Sequence, residues 1–287
     1  MTPTLAQSHL PRAGTPPRGV DRCARARDWA EIQERMLVPL YEAVYERLDV
    51  GSGTRLLGLG CGSGLALLMA ASRGASVTGV DCSAPERLAL ARERLLPDAG
   101  SDERPQGGTR LVEGGPADVT GPGVPAFTMV TAFQPIGCVA GDSEGLSGLL
   151  EATVPLTGRG TPVVLAGWGP PERCTTSSVL KVATKLADPL RSAGSWRPAL
   201  RDDLEEVAQR AGLKPDGSGR VACPFGYADT DSAVRGLLST GLFDAAVGAT
   251  DQVQVDKELT EALHPHKRRD GTVWMPNVFR YLIARTR

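Results

Sequence analysis

Nine residues constrain the fold of this chain more than any others: Leu56-Leu57-Gly58-Leu59-Gly60-Cys61-Gly62-Ser63-Gly64. The apolar run from Arg55 to Leu59 reads as a buried strand, and the glycines that follow permit a tight turn with close backbone approach to a ligand. Leu65 to Arg73 then reads as a helix ended by Gly74. Asp81 stands 21 positions after Gly60, the length of one strand-helix-strand unit. A second strand, Ala75 to Val80, thus ends in a carboxylate able to accept both hydroxyl hydrogens of a ribose.

Dinucleotide sites need G-x-G-x-x-G/A, and neither frame supplies it: counting from Gly58 puts Ser63 at the third glycine, and counting from Gly60 puts Leu65 there. A nicotinamide-dependent reductase is disfavoured on that ground. The sequence Gly60-x-Gly62-x-Gly64 after an apolar strand, with Asp81 beyond it, resembles the class I S-adenosylmethionine-dependent methyltransferases. The resemblance continues through Phe127 to Gln134 as a fourth strand and Pro162 to Trp168 as a fifth. Leu204 to Leu213 resembles the helix before a sixth strand, and Asn277 to Ala284 the last strand.

That resemblance implies a Rossmann-like, seven-stranded, mostly parallel α/β sheet with helices on both faces, N-terminal helices, and a helical insertion before the last strand. The expected organisation is a disordered tail over 1–20 and a single methyltransferase-like domain over 21–287. Within it lie N-terminal helices (21–50), the core (51–227), a helical cap (228–270) and the last strand (271–287). The implied cofactor is S-adenosylmethionine. Gly58, Gly60, Cys61, Gly62, Gly64, Asp81, Cys82, Phe133 and Gln134 fall at its expected contacts.

Two corners depart from the family pattern. Where the family usually carries an acid that helps hold the cofactor's cationic amino-acid end, this chain has Gly58. Where the family usually reads Gly-Asp-Ala beside the adenine, it has Gly114-Gly115-Pro116, which lacks the carboxylate and, at Pro116, the backbone donor. Asp118 is three positions beyond Gly115 and substitutes only if the loop is rearranged. Weak cofactor binding or an unusual pose is the expectation. A methyltransferase fold that binds ligands or regulates without methylating therefore stays open as the second reading.

The remaining signals are local. Trp29, Ile32, Met36, Leu37, Leu40, Val44 and Leu48 recur at helical spacing over 28–48, with Pro39 as a kink or break. Ser83-Ala84-Pro85-Glu86 has the form of a capping box opening a helix to Leu96, and 97–108 reads as a loop before a short strand, Thr109 to Glu113. Residues 175–199 read as a helix and loop over the site, and 228–270 as a lid or substrate cap.

A formal net charge of −1 and dispersed basic residues give no field for nucleic acid or an anionic membrane, so a small-molecule substrate is expected. No apolar stretch is long enough to span a bilayer and no secretory core opens the chain, which predicts a cytoplasmic protein; oligomeric state is not legible. The six cysteines show no metal spacing, and Cys61 has no neighbouring base to make it a nucleophile. Methyl transfer needs alignment more than a base, and no catalytic residue is assigned. Of the three histidines, His9 lies in the tail, and for His264 and His266 a solvated surface is favoured. Gln134 reads as a ligand contact or a turn residue after the fourth strand. Trp168, Tyr227 and Trp274 read as walls of an acceptor pocket or as packing.

Overall fold

A strand made of Arg55–Leu59 (β1) has apolar side chains on both faces, so it is stable only at the centre of a sheet covered on both sides. The computed structural model, which describes residues 21–96, 108–121, 125–137, 143–187 and 203–287, puts it there. Parallel partners flank it: Ser76–Asp81 (β2) on one edge and Met129–Ile136 (β4) on the other. Arg110–Glu113 (β3) adds outside β2, and Pro162–Trp168 (β5) outside β4. Lys214–Ala222 (β6) closes the sheet beyond the last strand, Val278–Arg285 (β9), which runs antiparallel to both neighbours. The order β3-β2-β1-β4-β5-β9-β6 is the expected seven-stranded, mostly parallel α/β sheet.

Each face has its own apolar layer. On one side Leu57, Leu59, Val130 and Leu165 pack under Leu146–Thr153 (α5) and Asp203–Arg210 (α7). On the other, Leu56, Val77, Met129 and Val164 pack under Val38–Arg47 (α2), Leu65–Ser72 (α3) and Thr176–Ala187 (α6). Three further helices, Thr230–Ser239 (α8), Asp244–Ala249 (α9) and Gln252–Leu263 (α10), extend this second layer. A small antiparallel pair, Phe225–Tyr227 (β7) and Val273–Met275 (β8), brackets those helices and ties both ends of the insertion to the body. Asp229 and Asp251 cap α8 and α10 by accepting from Ser232 N and Gln254 N.

The N-terminal segment is helical from Arg22 to Arg47, but not in one phase. Arg22–Asp28 (α1), capped by Asp21, gives way to a π-helical turn at Trp29–Gln33 and a 3₁₀ turn at Glu34–Leu37 before α2 begins. Pro39 sits in the first turn of α2, where its missing N–H costs nothing, so the irregularity precedes the proline. Two other expectations also shift. The helix Pro85–Leu95 (α4) has no capping box: its N-cap is Ala84, and Ser83, just before it, gives its N–H and hydroxyl to Asp81. Gln134 lies inside β4, not after it, at a break in the β4–β5 register between Ala132 and Ile136. The tail over 1–20 and the loops over 97–107 and 188–202 lie outside the described residues.

Chain order reverses at β1: the chain leaves toward β2 on one side, and β4 returns on the other. The carboxyl ends of β1 and β4 therefore bound a crevice, the place where open α/β sheets bind ligands.

Candidate functional site

The glycine turn follows β1 into that crevice, and its three glycines have different jobs. Gly60, Gly62 and Gly64 hold φ of 59°, 55° and 79°, left-handed values that a side chain disfavours. At Gly64 a Cβ would also stand 2.9 Å from Ala91 Cβ, so this glycine lets α3 approach α4. Gly62 is different. A methyl group there would meet only Glu34 Oε1 and Trp29 Nε1, each at 3.4 Å, and one on Gly60 only Gln134 Oε1 at 3.8 Å. Gly60 is thus exposed at the crevice, while Gly62, buried and with its N–H turned to Asp81, forms part of the lining close against side chains from other elements.

Asp81, 6% exposed, fastens this turn from below. Its Oδ2 accepts from Gly62 N at 3.1 Å, and Oδ1 accepts from Ser83 N, Ser83 Oγ and Ala84 N at 2.9, 2.8 and 3.3 Å. A carboxylate offers about four acceptor positions. The chain saturates Oδ1 and uses one position of Oδ2, so a ribose hydroxyl can donate to Oδ2 beside Gly62 N.

The wall facing the turn comes from the N-terminal segment, the cover that the resemblance implies, although no residue of that segment was assigned to the site from sequence. Trp29, Glu34, Leu37 and Tyr41 line the crevice together with Gly58 to Gly62, Asp81, Ser83, Arg87, Phe133 and Gln134. Glu34 is 3% exposed. Ser63 Oγ donates to its Oε2, and Arg94 Nη1 donates to the same oxygen at 3.2 Å and to Ser63 O and Oγ at 2.9 Å. Burial pushes the Glu34 carboxyl above its ordinary range, with Ser63 and Arg94 pulling the other way. The guanidinium of Arg87 lies 4.2 Å over the Trp29 ring and donates to Ser239 O at 2.6 Å. Burial lowers Arg87 to about 10, which still leaves it charged at neutral pH. Trp29 Nε1 is buried with no acceptor. An orphaned buried donor is uncommon, and here it faces the glycine turn.

The opposite corner is turned in on itself. After β3, Gly114 and Gly115 lead into a 3₁₀ turn at Pro116–Val119, and Asp118 Oδ2 accepts from Gly115 N at 2.8 Å. The acid is tied to its own turn by one oxygen, and Pro116, buried, has no N–H to offer.

The other candidates separate. Phe133 lines the crevice and packs against Tyr41 at 4.8 Å, and Gln134 reaches over Gly60. Cys61 lines it too, but burial, seconded by Asp81, pushes its thiol up to about 12, which leaves it unreactive. Cys82 is exposed and outside the lining. Trp168 packs in an aromatic cluster with Phe279 at 4.6 Å and Phe225 at 5.9 Å. Tyr227 is buried and donates to Gln33 Oε1 at 2.9 Å, whereas Trp274 lies at the surface beneath Arg268. None of these three lines the crevice. His264 and His266 form a 3₁₀ turn after α10, away from the lining. No group of metal ligands occurs among the described residues, and no helix among them is long and apolar enough to cross a membrane.

No protein-family model matches the chain, and no curated protein matches its sequence. Solved structures do match its shape. An S-adenosylmethionine-dependent methyltransferase from Thiobacillus denitrificans, in complex with S-adenosyl-L-homocysteine, aligns over 93% of this chain and 99% of its own, at 18% identity and a TM-score of 0.51. The YcgJ protein of Bacillus subtilis aligns over 86% and 97%, at 14% identity and 0.52. A candidate methyltransferase from Bacillus halodurans C-125 aligns over 86% and 98%, at 14% identity and 0.51. At these identities the likeness is one of fold.

Proposed function

From a chain with the class I methyltransferase fold, we infer an enzyme that binds S-adenosylmethionine at the glycine turn and transfers its methyl group to a small-molecule acceptor. The observation that carries this reading is a crevice at the sheet's switch point lined by the glycine turn, exposed at Gly60, with a buried donor, Trp29 Nε1, left without an acceptor in its wall. A ligand oxygen at that position satisfies the indole. The residues therefore suit the cofactor at the turn, while Gly115 and Pro116 offer its adenine little.

When bound, the cofactor supplies a methyl group on a sulfonium. The chain's part is to align and to exclude water. Asp81 keeps the turn in shape through Gly62 N, and Tyr41 and Phe133 give an apolar wall. The charged groups of the lining, Glu34, Asp81 and Arg87, are all engaged by protein partners, and burial raises the pKa of Tyr41 and Cys61, so an acceptor whose attacking atom needs no base from the chain is favoured. The N-terminal segment and the insertion shape the acceptor side. They meet through Arg25–Asp244 at 2.8 Å and Tyr227–Gln33 at 2.9 Å. The space enclosed is about 40 Å³, whereas small-molecule sites run to roughly 300 Å³ or more, so cofactor and acceptor together need more room than this state encloses.

Melting curves test the reading. S-adenosylmethionine and S-adenosylhomocysteine at saturating concentration should each raise Tm by several degrees, and a nicotinamide dinucleotide should not. No shift with either sulfur ligand would sink it. The second reading, binding without transfer, is favoured by the adenine corner, whose acid is tied to its own turn. It predicts the same shift but no S-adenosylhomocysteine released with any acceptor in a broad panel of hydroxyl and amine metabolites.

A further inference from the structure

An acid at Gly58 would have to displace Leu67. A Cβ on Gly58 would stand 2.9 Å from Leu67 Cδ2 and 3.8 Å from Cys61 Cβ, so the space beside β1 is filled by apolar groups. On the other side of the same crevice stands a carboxylate that the helix pattern of 28–48 does not call for. Glu34 is drawn inward because the π turn and the 3₁₀ turn break the 3.6-residue phase of the segment just where it passes the glycine turn. Its Oε2 is held by Ser63 Oγ and Arg94, which fixes the head group. Its Oε1 and the partnerless Trp29 Nε1 lie at the same 3.4 Å from the point where a Gly62 side chain would begin.

One fixed acceptor and one orphaned donor thus stand together against Gly62 in the lining of one crevice. That is a complementary pair for an ammonium and a carboxylate on adjacent atoms, the head of an α-amino acid. We propose that Glu34 and Trp29 together form the recognition site for the zwitterionic amino-acid end of the ligand, Glu34 taking the ammonium and Trp29 Nε1 the carboxylate. The proposal rests on the cofactor reading above and deepens it. Anchoring duty has moved from a strand of the sheet to the phase-shifted turn of the N-terminal segment. Both are positioning residues; neither touches the transferred methyl group.

Calorimetry on the full chain separates this role from a structural one, using three probes: S-adenosylhomocysteine, its decarboxylated analogue, and 5′-methylthioadenosine, which lacks the amino-acid head. Glu34→Gln should weaken S-adenosylhomocysteine about tenfold or more and leave 5′-methylthioadenosine within about twofold. Trp29→Phe, which leaves the Glu34–Arg94 pair in place, should weaken S-adenosylhomocysteine by roughly three- to tenfold and should not weaken the decarboxylated analogue. Equal losses for all three probes would overturn the proposal, since a merely structural Glu34 damages every ligand alike. Unchanged S-adenosylhomocysteine affinity in both variants would overturn it too, while the cofactor reading stood. If the wild type binds none of the probes, the cofactor reading itself fails and takes this assignment with it.

Discussion

The two ends of the crevice have lost the same kind of residue and responded in opposite ways. At the glycine turn the strand acid is gone, yet a carboxylate, an arginine and an indole N–H have been brought in from Glu34, Arg94 and Trp29. At the end of β3 the acid has moved three residues on, to Asp118, and is tied to Gly115 N by one oxygen. The first corner is rebuilt and the second is closed. A motif position that reads as degenerate therefore does not by itself say that the contact is lost; a side chain from a distant segment can take over, and only the geometry tells the two cases apart.

The largest effect expected from breaking this contrast comes from Gly58→Asp. Forcing a carboxylate against Leu67 should cost about 3 kcal/mol or more in denaturant unfolding without tightening S-adenosylhomocysteine, and a gain in affinity would show that the corner had not been rebuilt. Next comes Asp81→Ala, which strands donors at Gly62, Ser83 and Ala84. A loss of about 2–3 kcal/mol in stability and at least tenfold in ligand affinity is expected, read by the same unfolding curves and by calorimetry.

Gly62→Ala sharpens the contrast further. The left-handed φ of 55° costs about 1–2 kcal/mol, and the methyl stands in the space between Glu34 and Trp29. S-adenosylhomocysteine binding should fall more than that of 5′-methylthioadenosine. Asp118→Ala should cost no more than about 1 kcal/mol and leave ligand affinity unchanged. A loss of affinity matching that of Asp81→Ala would mean the β3 corner still holds the adenine.

The smallest effect is in pH. Burial raises the folded-state pKa of Glu34 above the ordinary 4.5, so its contribution to stability is complete below that pH and is lost as pH rises through the raised value. The stability of the wild type relative to Glu34→Gln should therefore decline above pH 4.5 and then level off. A rise over the same range would mean that Arg94 and Ser63 outweigh burial.

Much of the fold is written locally. Arg55 to Leu59 can only be a central strand, the glycines only a turn, and the spacing to Asp81 only one strand-helix-strand unit, and all three are as expected. Local patterns misled where a tertiary partner competes. Ser83 to Glu86 has capping-box chemistry, but Asp81, at the strand end, takes both the N–H and the hydroxyl of Ser83. Glu34 could not be read as a crevice residue, because a helical count from Trp29 to Leu48 assumes one phase and the chain changes phase twice between Trp29 and Leu37. Trp168 and Tyr227 were open between pocket and packing; Trp168 packs on Phe225 and Phe279 and Tyr227 bonds to Gln33, contacts from segments far along the chain that composition does not reveal.

Saturation-transfer NMR with S-adenosylhomocysteine on the wild-type chain tests the central claim most directly, because it reports both ends of one ligand in one spectrum. The contrast between corners predicts strongest transfer to the methylene protons of the amino-acid end and weak transfer to adenine H2. Strongest transfer to adenine H2, with the amino-acid methylenes near background, would contradict it.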